Sequence, residues 1–235
     1  MKKHRIYQKL SFILFIIGIT LTCLCGCTAE VLEGQQQVEK AKESFSKMKS
    51  GVITVTNMDN GEIEQTLTFK YDEVGILLYS LTGVSKGEIY EKYCNGYEIY
   101  TFENNEFSKL TKADWEYEAY TYDYRYPMTD EDYLFFSPDK VISVSVSDND
   151  KGGKSYSYEY EPSAISGEAE LGALVGFTVS FNFDENDVLD YLEELSVYEK
   201  DGNKTSYNYK ITITERDSVG KIQMPENIAK MSENK

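Results

Sequence analysis

The sequence predicts a mainly β chain of the α+β class: an antiparallel sheet with an N-terminal helix and a helical insert in its middle. Three observations predict it. Apolar residues fall on alternate positions through segment after segment, as in Ile63, Leu67, Phe69 and Tyr71, with the polar Gln65 on the same face, or Val175, Phe177, Val179, Phe181 and Phe183. Turn signals such as Asn60-Gly61, Asn95-Gly96 and Asp201-Gly202 stand between these segments at hairpin spacing. A helical period occurs near the N-terminus, where Val38, Ala41, Phe45 and Met48 recur at steps of three and four.

The chain opens with Lys2, Lys3, His4, Arg5 and Lys9, followed by an apolar run over Leu10 to Leu24. A basic cap, a short apolar core and small residues after it make a secretory signal peptide. The core is about 15 residues, short of the ~20 that a spanning helix needs. Leu24-Cys25-Gly26-Cys27 closes it. This tetrad resembles a bacterial lipobox, with Leu three positions before the acceptor cysteine. The resemblance implies that residues 1–26 are removed, that Cys27 is diacylated and that the protein sits on the outer, extracytoplasmic face of a cell membrane. Two acyl chains give stable anchoring without a spanning helix. The alternative is an ordinary signal peptide or an uncleaved anchor helix. Residues 27–33 then form a lipidated tether, 34–228 the folded domain and 229–235 a polar tail.

Removing 1–26 leaves 209 of the 235 residues, ample for one core. That segment takes four of the 24 Lys and Arg and none of the 40 Asp and Glu, so the remainder carries a net charge of −20. Such a charge repels phosphate backbones and excludes nucleic acid as a partner. Cys23 and Cys25 leave with the signal peptide and Cys27 is the lipid acceptor, so only Cys94 remains and no intrachain disulfide forms. Cys94 lies in an alternating apolar stretch and reads as a small buried hydrophobe. The sole histidine is His4. Its removal takes away Ser-His-Asp and Cys-His catalysis and His-ligated zinc.

Gly34 to Lys49 is the helix, with Gly51 suited to a left-handed cap. Val52 to Thr56, Ile63 to Tyr71, Ile76 to Thr82, Glu88 to Cys94, Tyr97 to Glu103 and Glu106 to Lys112 read as a run of hairpin strands. Trp115 to Tyr126 is rich in aromatics, and Thr129 caps a short acidic-first helix over Asp130 to Phe136. Val141 to Ser147 is a strand with Ile142, Val144 and Val146 on one face, and Tyr156, Tyr158 and Tyr160 alternate in the next. Pro162 to Ala173 is a helical or irregular lid, and Val175 to Phe183 a strand. Val188 to Lys200 fits a helix or a strand; the Asp201-Gly202 turn into the strand of Tyr207, Tyr209, Ile211 and Ile213 favours the strand.

A helix, a long meander, a helical insert and further strands closing near Ile222 and Pro225 resemble the LolA/LolB-like superfamily of lipoprotein carriers. The resemblance implies an open, curved half-barrel with helices over its concave face and an acyl chain or other apolar ligand between. The residues of this sequence that would line that cavity are Leu67, Phe69, Leu77, Tyr79, Phe177, Val179, Phe181 and Phe183. The family's carriers use an arginine near the cavity mouth; Arg125 and Arg216 are the only arginines after residue 26, and neither maps onto it.

Two functions follow. The first is non-catalytic binding of an apolar or amphipathic, lipid-like ligand, as carrier or sensor. The second is a protein- or glycan-interaction module with a packed core, using some of the 20 tyrosines, whose rings give broad contact at low entropic cost. A near-match to a calcium loop places Asp148, Asp150 and Glu159 at ligand spacing, but its fifth position is Gly152 and its flanks are strands. No phosphate loop and no serine elbow occurs, and no cofactor or enzymatic chemistry is expected.

Overall fold

Among the described residues, eleven strands form one antiparallel sheet, preceded by an α-helix. The computed structural model describes residues 31–85, 87–112, 140–164, 169–223, 225 and 228. Cys27, the Trp115–Tyr126 stretch, the helix expected over 130–136 and the polar tail lie outside the described residues. The fold below belongs to the compact unit Glu33–Lys235.

Helix α1, Gln35–Ser46, begins at Gly34, whose φ of 78° places it in the left-handed region. A Cβ there would lie 2.2 Å from the Tyr156 ring, so glycine meets both a backbone and a packing demand. The helix ends differently from expectation. Lys47 is right-handed, and Gly51 is no cap but the second residue of β1. A Cβ on Gly51 would meet Met48 Sδ at 3.0 Å and Phe69 Cε1 at 3.1 Å. Glycine is needed there for close approach of helix to sheet, not for an unusual φ.

The strands are β1 (Ser50–Asn57), β2 (Ile63–Tyr71), β3 (Leu77–Ser85), β4 (Glu88–Cys94), β5 (Glu98–Glu103) and β6 (Glu106–Lys112). After the connection come β7 (Val141–Asp148), β8 (Lys154–Tyr160), β9 (Ala173–Phe183), β10 (Leu189–Lys200) and β11 (Asn203–Thr214). Two short 3-10 turns, Pro162–Ala164 and Ala169–Leu171, stand where the lid was expected. The order across the sheet is β6-β5-β4-β3-β2-β1-β11-β10-β9-β8-β7. Two hairpin meanders are thus joined by one long-range pair, β1 with β11, in register from Val52–Thr214 to Asn57–Tyr209. Residues 113–139 connect β6 to β7, the two outer edges. The ambiguous 188–200 segment is strand, because Asp201-Gly202 locks it to β11 from Lys200–Asn203 to Tyr191–Thr212.

Directly paired residues share a face. Phe181, Leu192, Ile211 and Val55 are paired in turn across four strands, as are Ile213, Ile53, Leu67 and Leu81. These belong to the inner face, against which α1 packs: the Phe45 ring meets Phe69 edge-on at 6.4 Å. Two expected inner residues are displaced by bulges. The register shifts between Val141 and Ser143, leaving Ile142 61% exposed. It shifts again opposite Val197 and Tyr198, leaving Val175 39% exposed. A bulge puts two residues against one and breaks the alternation that periodicity assumes.

The outer face is crossed by the chain after β11. Asp217 Oδ1 accepts from Lys49 N at 2.6 Å, and Val219 N donates to Ser50 Oγ at 3.2 Å. Lys70 Nζ donates to the carbonyls of Val219 and Gly220, each at 3.0 Å. Ile228 then packs with Tyr100 and Phe102. The expected closing residue Ile222 is buried at 9% exposure within this strap.

Candidate functional site

The inner face divides into two ends. At the end where β1 begins, α1 lies across the strands, from Gly34 against the Tyr156 ring to Phe45 against Phe69. Tyr158 Oη donates to the Glu33 carbonyl at 2.7 Å, and burial pushes its pKa up. Twelve helical residues span about 18 Å, whereas eleven strands at ~4.8 Å spacing span roughly 48 Å along the sheet. The helix therefore covers only part of the inner face.

Of the eight expected cavity residues, seven are buried: Leu67, Phe69, Tyr79, Phe177, Val179, Phe181 and Phe183 are each 0–3% exposed. Leu77, at the start of β3 opposite Tyr71, is half-buried. Edge-to-face ring pairs fix several of them: Tyr156 with Phe183 at 5.9 Å, Tyr158 with Phe181 at 6.1 Å and Tyr160 with Phe177 at 6.0 Å. Because accessible surface includes the walls of internal voids, these values leave no water-sized space beside Phe181 or Phe183.

A small cavity of about 120 Å³ does lie under α1, between Phe45, Met48, Leu189 and Ile213, with Lys40 and Arg216 at its border. Arg216 is held by its backbone neighbours. Its Nε donates to the Ile213 carbonyl at 3.3 Å and its second nitrogen to the carbonyl of Leu189. Burial lowers its pKa, against the charges of Asp190 and Asp184.

At the opposite end the inner face turns polar and aromatic. Glu194 is paired with Val179 and Tyr209, Ser196 with Phe177 and Tyr207, and Gln65 Nε2 donates to Tyr90 Oη at 2.9 Å. Tyr90, Lys92, Gln65, Tyr207 and Tyr209 are half-buried there. The Tyr90 ring rests on Gly83, where a Cβ would come within 2.5 Å of its Cζ and Oη. Burial lowers the Lys92 pKa, and the Lys109 charge lowers it further.

Comparison with solved structures returns distant similarities. The chain is similar to LprF from Mycobacterium bovis, at 14% identity and a TM-score of 0.49, over 82% of this chain and 97% of that one. It is similar at 10% identity and a TM-score of 0.49 to the Mycobacterium tuberculosis lipoprotein LppX, over 80% and 97%. A chain of the Pseudomonas aeruginosa MucA/MucB complex aligns over 77% of this chain and 94% of that one, at 7% identity and a TM-score of 0.19. No family model and no curated protein matches the sequence.

Glu194 was not legible as a site residue. It is one of 40 acids, and only the register places it on the inner face. Burial raises its pKa, while a 3.2 Å hydrogen bond from Ser196 Oγ opposes the rise. A carboxyl whose pKa is raised in the fold destabilises that fold once the pH exceeds its unfolded value, and costs nothing below it. Glu194→Gln is therefore expected to raise Tm at pH 8 by about 2–4 °C, corresponding to roughly 1 kcal/mol. The gain should vanish near pH 4. Thermal melts at both pH values check this, and an equal gain at both would show that ionisation is not the cause.

The three calcium-loop candidates are not brought together. Asp148 ends β7, Asp150 is in the turn, and Glu159 lies in β8 opposite Ser143, whose Oγ donates to it at 2.8 Å. The turn itself is organised by Asn149, whose Oδ1 accepts from Lys151 N and Gly153 N at 3.1 and 3.0 Å. Among the described residues no group of three His, Cys, Asp or Glu is placed to hold a metal ion, and no helix is long and apolar enough to cross a membrane.

Proposed function

We propose that this chain is an exported lipoprotein, anchored through diacylated Cys27 on the outer face of the cell membrane. It holds a lipid-like ligand against the inner face of a LolA-like half-barrel, as a non-catalytic carrier or sensor. One observation carries the ligand reading. An apolar face runs from Tyr156 in β8 through Phe181, Leu192 and Ile211, and on through Ile53 and Leu67 to Leu81 in β3, and the described helix is long enough to cover only part of it. Apolar chains would lie along that face, and the half-buried Tyr90, Tyr207 and Tyr209 would meet the more polar part of the ligand. Phe181 and Phe183 form the floor toward α1, and Val179 and Phe177 continue it toward the polar end. Leu67, Phe69, Leu77 and Tyr79 continue that floor on the other side of β1.

The packing of that floor favours a second reading, a solid core whose function is to contact another protein or a glycan. One experiment separates the two and tests the anchor as well. The full chain is released from membranes of producing cells and weighed by native mass spectrometry, alongside Cys27→Ala. The expected result is covalent acyl mass on the wild type, none on Cys27→Ala, and a non-covalent lipid retained by the wild type. A wild type without acyl mass removes the anchor. Acyl mass without retained lipid leaves the packed interaction module.

A further inference from the structure

The strap that crosses the outer face encloses a second space, outside the inner face discussed above. It is a partly open cavity of about 330 Å³, with Leu78, Cys94 and Ile222 among its walls and Lys70, Gly220 and Lys221 at its border. Lys70 is paired across the sheet with Leu78 and, through its ammonium, holds the strap carbonyls of Val219 and Gly220. Lys221 is exposed. Neither lysine forms an ion pair with a carboxylate among the described residues.

Two lysines without acidic partners among the described residues are notable in a chain of net charge −16. Forty acids compete for 24 basic side chains, and both of these lysines border the same apolar hollow. Ligand pockets range over ~300–1,000 Å³. A space at the low end of that range accommodates one acyl chain, not the two of a phospholipid. The charge at the rim selects the head group. An ammonium strengthens its attraction to an anion where apolar walls exclude water, and in a chain this acidic the overall field does not recruit anions, so the local pair must.

We infer that the pocket between the strap and β2–β4 binds a long-chain fatty acid, its chain against Leu78 and Ile222 and its carboxylate between Lys70 and Lys221. Gly220, whose carbonyl accepts from Lys70, directly precedes Lys221 and has no side chain, and a Cβ there would meet nothing within 4 Å. The head-group position is therefore open. Lys70 has two functions, tying the strap to the sheet and charging the pocket rim. Occupancy would consequently tighten the strap on the outer face.

The test is photolabelling. Membranes from cells producing the full chain are incubated with a long-chain fatty acid carrying a diazirine, irradiated, and the adducts mapped by peptide mass spectrometry. Adducts are expected on the peptides holding Leu78, Cys94 and Ile222. Leu78→Trp, which fills the hollow, should reduce them about tenfold, a loss of the order expected when binding surface is blocked. Lys221 is exposed, so Lys221→Glu leaves the fold intact and should reduce labelling roughly threefold or more by reversing the rim charge. A diazirine-bearing long-chain amine should label these peptides less than the acid does. Adducts confined to residues 177–183 would place the fatty acid on the inner face and overturn this site while supporting the other. Equal labelling by acid and amine, adducts unchanged in both variants, or no adducts at all would overturn it as well.

Discussion

Phe181→Glu is expected to prevent folding, and Phe181→Ala to lower stability by about 3–5 kcal/mol. Phe181 is 1% exposed, paired with Leu192 on one side and Tyr156 on the other, and its ring meets that of Tyr158. A carboxylate placed there has no water-sized void to enter and no cation near it in the register. Burying an unpaired charge costs several kcal/mol or more, against a total stability of ~5–15 kcal/mol for an ordinary domain. The measurement is the soluble yield and heating curve of both variants, together with binding of an environment-sensitive fluorescent fatty acid. A Phe181→Glu protein that melts within a few degrees of wild type but no longer binds the dye would mean that water reaches this position. The ligand space would then extend down to the floor of the sheet. Unfolding with dye binding preserved in Phe181→Ala would instead confine the ligand to the polar-aromatic end.

The faces of β2, β3 and β9 were legible in the sequence because strict alternation has one physical outcome, an apolar side turned from water. Leu67, Phe69, Tyr79 and Phe181 could be assigned inward from period alone. Ile142 and Val175 could not, because a bulge inserts one residue and reverses the parity without changing composition. Gly51 misled for a related reason. A glycine after a helix is most often a cap, and only the third dimension shows Met48 and Phe69 pressed against it. The pairing of β1 with β11 was invisible as well, since no local signal links residues this far apart in the chain. For the same reason the strap was unreadable. Asp217, Lys70 and Ile228 are ordinary residues until the strand order brings them to one outer face. Glu194 shows the limit for the site. In a chain so acidic, what distinguishes a carboxyl is its enclosure, and enclosure is not written in composition.

Gly153→Ala is expected to detach the edge hairpin β7–β8 from its neighbour. The residue has no left-handed φ, so nothing in its backbone requires glycine. The requirement is spatial. A Cβ on Gly153 would lie 2.0 Å from the Phe183 carbonyl oxygen and 2.5 Å from the Asp184 carbonyl carbon. Both are backbone atoms, so no side-chain rotation relieves the clash. The same carbonyl accepts a hydrogen bond from Asn149 Nδ2 at 2.7 Å, and Gly153 N donates to Asn149 Oδ1. The turn is thereby clamped to the end of β9, and its polar groups are committed to docking the hairpin. Overpacking costs about 1–3 kcal/mol where neighbours can shift. Against backbone the upper end applies, equivalent to a fall in Tm of roughly 6–12 °C for a domain of this size. Gly152 provides the control. It has a φ of 76° but only Glu185 Cβ near it, at 3.9 Å, and asparagine tolerates the left-handed region. Gly152→Asn should therefore change Tm by no more than about 2 °C. Proteolysis at the 148–153 turn should accelerate in Gly153→Ala and not in Gly152→Asn. If the two variants melt and are cleaved alike, the clamp at Phe183 does not hold the hairpin.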